Sequence, residues 1–280
     1  MKKIISISLV LFISLGSLFG QETNDKYQEV DKMKDWGFSI TPYALIASQS
    51  TDVGGRKIRQ SFGDLVSLTN AGFQLITTVR YKRFFLTIDG TFATLGSNSS
   101  STGDLVSYDV DLTIKQRILD FKLTYMILDN FEVNGSDVIK GWSIEIGGGG
   151  KYWSNDVDLN YKLTAHNPLP GPGQEDKVIE QSETIPQEWW DLMVGAKAKF
   201  VLNDKVKLGV GFNVGGFGIG NSSKFAYDFT YINNFRVLNW LSINAGFRNF
   251  YYSRVDGEGA DELTTKVNVL GPLLGVSFLL

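Results

Sequence analysis

The chain has 280 residues, is 43% hydrophobic and 13% aromatic, contains no cysteine and carries a formal net charge of −3. The lack of cysteine excludes disulfide bonds and thiolate metal sites. The slightly acidic balance gives no electrostatic basis for binding nucleic acid. After residue 20 there is no run of about 18 apolar residues, so we expect no transmembrane helix.

The N-terminal segment has the pattern of a secretory signal peptide. Lys2 and Lys3 precede an apolar run over residues 4–19, which is interrupted only by small residues, and a cleavage region follows at Gly20-Gln21. We therefore assign residues 1–20 to a signal peptide and the charged residues 21–35 to a short periplasmic tail. Because no cysteine follows the apolar run, no lipoprotein anchor is predicted. The remaining residues, 36–280, form the predicted folded domain.

This domain contains about ten segments in which apolar residues occupy every second position. Such a period predicts strands with one apolar and one polar face, and turn-forming residues separate the segments. Eight strands remain an alternative interpretation. The predicted strands are 36–48, 71–81, 84–96, 105–127, 139–155, 187–202, 205–219, 223–237, 240–254 and 262–280.

Short and longer connections alternate along this series. The shorter reversals are 82–83, 129–140, 203–204 and 238–239. The longer connections are 49–70, 97–104, 156–186, a segment near Asn221, and 255–261. Short periplasmic turns and longer outer loops are typical of outer-membrane barrels, and this order places both termini in the periplasm. Within the first long connection, residues 56–69 predict one short amphipathic helix.

Long strands with an aromatic-rich apolar face, together with an export signal, favour an apolar-out and polar-in arrangement. The fold class that we predict is a closed antiparallel up-and-down transmembrane β-barrel, all-β, over residues 36–280. The rival is a soluble lipocalin-like barrel, which would hold its apolar face inward. The positions that we expect to face lipid include Trp142, Trp190, Phe225, Tyr231, Phe247 and Tyr251.

The opposite face of the strands predicts a polar lumen. A barrel of about ten strands has a narrow interior that side chains largely fill, and buried charges must be paired or hydrated. We interpret the lumen residues as a polar plug; the alternative is a narrow conduit or a small pocket for a solute. The predicted lumen residues are Arg80, Asp89, Asp120, Lys122, Glu145, Lys151, Asp191, Lys197, Asn213 and Arg248.

The sequence offers little support for an enzyme. The only histidine, His166, lies in the Pro-rich connection 156–186, and no Ser/His/Asp order stands out. The carboxylates of 255–261 lack the spacing of a calcium loop. We therefore predict no catalytic residue, metal or cofactor. The alternative is that the connection 156–186 acts on lipid A or another lipid, or binds an external ligand.

Several short motifs occur in a recognisable order. They are Ser61–Leu65, Arg80–Phe84, Leu86–Asp89, Gly150–Trp153, Trp189–Asp191 with Val194-Gly195, Asn213–Gly220, Gly246–Arg248 and Gly271–Gly275. In this order the chain resembles a widespread family of small Gram-negative outer-membrane β-barrel proteins, OmpA-like or porin-like, over nearly its whole length after residue 20.

The resemblance implies a fold, a location in the outer membrane among its lipids, and insertion by the barrel-assembly machinery. It implies no established activity. Lys151 and Lys197 stand where the family has Arg, and Asn213 stands where it has Asp. These exchanges weaken the bidentate pairing that Arg and Asp can form.

Overall fold

The structure is a computed structural model that describes residues 34–134, 137–166, 176–257, 259 and 262–280. The predicted signal peptide and residues 21–33 of the predicted tail lie outside these ranges. The described residues form one antiparallel sheet of twelve strands and one short helix. None of the helical structure in these ranges is long and apolar enough to span a membrane.

The strands follow one another along the chain and are joined by mostly short connections. The strands are β1 (Trp36–Leu45), β2 (Ser48–Val53), β3 (Arg56–Gln60), β4 (Thr69–Tyr81), β5 (Phe84–Thr102), β6 (Val106–Asn134), β7 (Asp137–Ala165), β8 (Lys177–Val201), β9 (Val206–Gly215), β10 (Phe225–Leu238), β11 (Leu241–Asp256) and β12 (Leu263–Leu279). The helix, α1, covers Phe62–Leu68. It lies between β3 and β4.

The sheet is ring-like. From β4 to β12 each strand pairs with the next, and β1 pairs with both β4 and β12. The remaining strands, β2 and β3, form a hairpin that continues the sheet along β12. The predicted count of about ten strands, or eight, is therefore wrong. The two additional strands lie in the predicted connection 49–70, where polar residues such as those of β2 give no apolar alternation.

The two ends of the ring differ in their connections. One end, the terminal end, holds Trp36, Leu279 and the reversals that follow β4, β6, β8 and β10. The other end, the loop end, holds the connections that follow β1, β5, β7, β9 and β11. The short reversals predicted at 82–83, 203–204 and 238–239 are confirmed at the terminal end. At 82–83 the turn is tight enough for Lys82 to adopt a φ of 52°.

Three adjacent strands extend far beyond the others at the loop end. β6 and β7 have 29 residues each, and β8 has 25. The predicted connection 156–186 is therefore wrong over most of its length, because Asp158 already pairs with Thr184 and the ladder continues to Ala165 and Lys177. Residues 167–175 lie outside the described ranges. Strand structure also reaches into the predicted connections 97–104 and 129–140.

The two surfaces of the ring have opposite character, as the alternation predicts. On the outer surface Trp190 and Phe225 are 52% and 45% exposed, whereas on the inner surface Asp191 and Asp228 are fully buried. Large apolar side chains are thus outside and charged side chains are inside. This arrangement is the reverse of the lipocalin-like rival.

Two glycines on the inner surface illustrate different uses of a missing side chain. A Cβ atom added to Gly149 of β7 would lie 1.8 Å from the carbonyl oxygen of Phe121 in β6, so only glycine permits this approach of the two backbones. A Cβ atom added to Gly211 of β9 would meet no atom within 4 Å. The first glycine therefore sets the wall geometry, and the second leaves space inside the ring.

Helix α1 lies over the loop end of the ring. Ser61 caps it, and Ser61 and Asp64 form a reciprocal capping box. The bonds that Asp64 accepts from the backbone and hydroxyl of Ser61 hold the pKa of its carboxyl below the usual value. The helix predicted within 56–69 is confirmed for Phe62–Leu68, whereas Arg56–Gln60 belongs to β3.

Candidate functional site

A group of polar side chains meets inside the ring between its two ends. We define the charge cluster as Tyr43, Asp89, Asp120, Lys122, Lys151, Asp228 and Arg248. These side chains come from β1, β5, β6, β7, β10 and β11, so the cluster joins strands on opposite sides of the ring. Its members lie on the inner surface because they share the inward phase of the strand alternation.

Arg248 connects the two sides of the cluster. Its Nη2 and Nε atoms donate to the two carboxylate oxygens of Asp228 at 2.7 and 3.2 Å, which is a bidentate pair. Its Nη1 atom donates to Asp89 at 2.7 Å and to the Tyr43 hydroxyl at 2.9 Å. The hydroxyl in turn donates to Asp89 at 2.8 Å. One guanidinium therefore holds β1, β5 and β10 to β11.

The two lysines complete a chain of alternating charges. Lys151 donates to Asp228 at 2.8 Å, and its Nζ atom lies 3.8 Å from Asp120. The Nζ atom of Lys122 lies 3.1 Å from the same Asp120 carboxylate. Among the described residues none donates a well-aligned hydrogen bond to Asp120, so charge holds this carboxylate in place. The cluster contains three cations and three carboxylates and is balanced in formal charge.

A second polar layer lies between the charge cluster and the terminal end. Glu145 pairs with Lys199 at 2.5 Å and accepts a hydrogen bond from Thr124 at 3.0 Å. These groups border a cavity of about 320 Å³, the lower cavity, which Lys197 and Asn213 also line. Beyond it an apolar cluster lies inside the terminal end on the side of β5 to β8; it consists of Phe85, Met126, Phe131 and Val201.

An aromatic layer lies between the charge cluster and the loop end. Its rings are Trp153, Trp189, Phe250 and Tyr252, and the two indoles stack with centroids 5.7 Å apart. Asp191 is buried beneath them and accepts hydrogen bonds from the Trp153 indole at 2.9 Å and from the Ser223 backbone at 2.7 Å. Asp191 thus serves as the hydrogen-bond acceptor for buried N–H groups in and beside the aromatic layer.

A larger cavity lies between the charge cluster and helix α1. This upper cavity has a volume of about 480 Å³. Charged side chains of the cluster, such as Asp89 and Arg248, form its floor, and Leu65 of α1 forms part of its cover. The interior is therefore a stack of filled layers with one cavity on each side of the charge cluster.

The structure distributes the predicted lumen residues over these layers. Five belong to the charge cluster: Asp89, Asp120, Lys122, Lys151 and Arg248. Four belong to other layers or border the lower cavity: Glu145, Asp191, Lys197 and Asn213. Arg80 lies at the terminal end, where its guanidinium donates to the carbonyl of Lys34. The predicted set of lumen residues contains neither Tyr43 nor Asp228, although the strand alternation already places Asp228 on the polar face.

A separate polar group lies at the tip of the long strands. The Nε2 atom of His166 is 2.6 Å from the Ser107 hydroxyl, and its Nδ1 atom is 2.8 Å from the Asp176 carboxylate. This is the order hydroxyl, imidazole and carboxylate of a nucleophile relay. Sequence reasoning found no such order, because Ser107 and His166 are 59 residues apart and meet only through the pairing of β6 with β7.

Candidate metal ligands do not come together in the described parts of the chain. Within the described ranges, no group of three or more His, Asp or Glu side chains is placed to hold a metal ion. Part of the carboxylate-rich connection 255–261 lies outside those ranges.

No protein-family model and no curated protein matches the sequence, so the family that the motifs indicate stays a prediction. Among solved structures, the chain is similar to the outer membrane protease OmpT from Escherichia coli, with 10% identity, a TM-score of 0.46, and coverage of 88% of this chain and 97% of that one. It is also similar to Ail, the attachment invasion locus protein of Yersinia pestis, with 11% identity, a TM-score of 0.29 and coverage of 89% and 100%.

The third similar structure is the Pseudomonas putida toluene transporter TodX. Its identity is 8%, its TM-score 0.27, and the alignment covers 91% of this chain and 92% of that one. At these identities and TM-scores, the likenesses assign no residue roles to this chain.

Proposed function

We propose that the chain is a β-barrel protein of the bacterial outer membrane, with both termini in the periplasm and a structural role in the cell envelope. The supporting observation for the location is the inside-out distribution of side chains. A soluble monomer rarely exposes an apolar patch larger than a few hundred Å². Here exposed apolar residues occur around the ring, and the charges lie inside it.

The height of the apolar surface supports the same location. On β7 the outward apolar and glycine positions run from Trp142 to Tyr152, and outward Asp156 and Asp158 follow. About 9–11 residues of a tilted strand cross the hydrocarbon of a membrane. Aromatic rings stand at both ends of this band, where interfacial Trp and Tyr are favoured. Membrane lipid is therefore the proposed partner of the outer surface, and the barrel-assembly machinery inserts the protein.

The charge cluster favours a barrel with a blocked lumen and a structural role over a barrel with a narrow pore. Its cations and carboxylates pair with one another across the ring, and its net charge is balanced. A permeating ion would have to displace these pairs, and breaking a buried pair costs about 3–5 kcal/mol. The aromatic layer and the apolar cluster narrow the lumen on either side of these pairs.

Planar-bilayer recordings test this closure. We expect no steady conductance from the purified protein after folding has been verified by its heat-modifiable migration in detergent gels. A double variant, Asp228→Ala with Arg248→Ala, removes one charge of each sign from the cluster and is expected to conduct, because it leaves a wetted space inside the ring that joins the upper and lower cavities. Steady single-channel steps from the unaltered protein would contradict a closed wall and favour the narrow pore.

The group at the tip of the long strands favours a second candidate function, hydrolysis of an extracellular ester or amide. The Ser107 oxygen would attack the carbonyl carbon while its proton passes to Nε2 of His166. Asp176 would stabilise the imidazolium that results. The same proton would then pass to the leaving group, and a water molecule would release the acyl group from Ser107 by the same steps.

Labelling with a fluorophosphonate probe tests this second candidate. We expect Ser107→Ala and His166→Ala to abolish labelling, because the serine needs its base. The matched control is Ser101→Ala, which removes another exposed serine near the tip of β5 and is expected to leave labelling intact. If the unaltered protein takes up no label, or if labelling survives His166→Ala, the group is a structural hydrogen-bond network.

A further inference from the structure

The hydrogen-bonded wall of the ring is interrupted between β1 and β4. Their ladder ends at the pair Pro42 and Leu75, whereas β4 stays paired with β5 as far as Thr69 and Leu95. Beyond Pro42, β1 remains paired with β12, and β2 continues along β12. Residues 69–74 of β4 therefore have no ladder partner on their β1 side among the described residues.

A side chain takes the place of the ladder at this point. The backbone N–H of Leu45 donates to the side-chain carbonyl of Gln74 at 2.7 Å. Proline at position 42 has no N–H to donate at the last step of the ladder. Two residues therefore account for the separation of β1 from β4: Pro42, which ends the ladder, and Gln74, whose side chain replaces a backbone partner.

The upper cavity passes through this interruption. Its lining includes inward side chains of the wall, such as Thr91 and Ala93, and also Pro42, Phe73 and Phe92 from the outward phase of their strands. Phe73 and Phe92 are 54% and 46% exposed on the outer surface. The same cavity therefore reaches both the charge cluster inside and the apolar surface outside.

The interruption lies at the loop-end edge of the apolar band. On β5 the outward residues towards the terminal end include Leu86 and Ile88, and those beyond Phe92 are Thr94, Gly96 and Asn98. In the proposed orientation this edge lies in the outer leaflet of the membrane. Helix α1 covers the loop-end side of the cavity with Phe62, Leu65 and Val66. None of the helical residues is buried, so the cover is held by few contacts.

We propose that this gap, the lateral opening, admits an acyl chain of an outer-leaflet lipid into the upper cavity. The inference rests on the proposed outer-membrane location. The occupant is hydrocarbon because the passage is lined by apolar side chains and is continuous with the surface that faces the lipid chains. The charges on the floor are already matched within the cluster, because Arg248 is bonded to Asp89 and Asp228 and the Asp120 carboxylate lies beside two lysines. A charged solute therefore finds no unmatched ion there.

The size of the cavity agrees with this occupant. Ligand pockets have volumes of about 300–1,000 Å³ and are lined mainly by apolar side chains. The upper cavity, at about 480 Å³, lies in this range and holds one chain rather than a whole lipid. The head group would stay at the membrane surface beside Phe73 and Phe92.

Tryptophan fluorescence can report on this occupant, since the chain has six tryptophans in two classes. Replacing the four outer ones by Phe (Trp36, Trp142, Trp190 and Trp240) leaves Trp153 and Trp189 in the aromatic layer. The ring of Trp153 lies 5.8 Å from that of Phe250, which lines the upper cavity. Bromine atoms quench indole fluorescence at short range, so phosphatidylcholine with dibrominated acyl chains is the probe.

In vesicles of this lipid, we expect the emission of the two inner tryptophans to be quenched relative to vesicles of the unbrominated lipid. Ala93→Phe fills the upper cavity and should abolish the quenching. Gly211→Phe, which fills open space in the lower cavity, is the matched control and should leave it unchanged. Gln116→Phe, directly opposite Ala93 on β6, replaces the first variant if that one does not fold.

Heat-modifiable migration and flotation with the vesicles show separately that each variant is inserted. If the inserted protein shows no quenching, or if the quenching persists when the upper cavity is filled, the lateral opening holds no acyl chain while the proposed location stands. If the protein neither floats nor shows heat-modifiable migration, the proposed location is wrong, and the inference falls with it.

Discussion

Arg248→Ala is expected to lower the free energy of unfolding by about 3–5 kcal/mol, the usual cost of removing one partner of a buried ion pair. The Arg248 side chain is only 8% exposed. Its guanidinium donates hydrogen bonds to Asp228, Asp89 and Tyr43. Its removal leaves two carboxylates inside the ring without their main cation. Urea unfolding in lipid vesicles, followed by tryptophan emission and heat-modifiable migration, measures the loss.

The matched control is Arg117→Ala. Arg117 lies on the outer surface of β6, is about half exposed, and pairs with Asp156 at 3.5 Å. Exposed ion pairs contribute about 0–1 kcal/mol, so this variant should unfold nearly as the unaltered protein does. Arg248→Lys keeps the charge but not the bidentate geometry, and we expect an intermediate loss. Equal effects of Arg248→Ala and Arg117→Ala would contradict the central role of the charge cluster.

Gly149→Ala is expected to prevent most of the protein from reaching the folded form. The added Cβ atom would lie 1.8 Å from the Phe121 carbonyl oxygen, so the backbones of β6 and β7 would have to separate. Extra atoms in a well-packed interior cost about 1–3 kcal/mol when side chains can adjust. Here the obstacle is backbone, and the pairing of the two longest strands would be disturbed, so we expect a larger cost.

The folded fraction in isolated membranes, measured by heat-modifiable migration, checks this expectation. Gly211→Ala is the control, because its Cβ atom would meet no atom within 4 Å. We expect this variant to fold as well as the unaltered protein or slightly better, since alanine restricts the unfolded chain. Normal folding of Gly149→Ala would show that β6 and β7 can separate without loss.

The sequence predicts those parts of the wall that have an apolar environment on one side and a polar environment on the other. Along β7 to β12, apolar residues outside and polar residues inside produce a period of two that can be read directly. The same reasoning failed for residues 156–165 and 177–186, which are paired strands. Residues 157–165 do alternate, but in the opposite sense, with apolar Leu159 in the inward phase and polar Asp158 in the outward phase. Residues 177–186 carry polar residues on both faces, such as Glu183 and Thr184, so the periodic signal disappears there. The hairpin of β2 and β3 was missed for the same reason.

The charge cluster was predicted in part. Alternation placed Asp89, Asp120 and Arg248 on one surface, but it does not give the height of a residue within the ring, so it could not separate these from Lys197. Tyr43 was missed because the predicted lumen residues are charged or amide side chains, whereas Tyr43, which shares the inward phase of Thr41, is aromatic. Its hydroxyl reaches Arg248, 205 residues away, only once the ring has closed.

The uneven length of the strands also determines how far the protein extends beyond the outer surface of the membrane in the proposed orientation. The thirteen residues that follow Tyr152 in β7 extend over about 40 Å at the usual rise of a strand. In the proposed orientation they form a stiff stalk whose summit, with Ser107 and His166, stands clear of the bilayer. Lengthening or shortening the stalk by residue pairs would change how far it reaches, with the interior below left as it is.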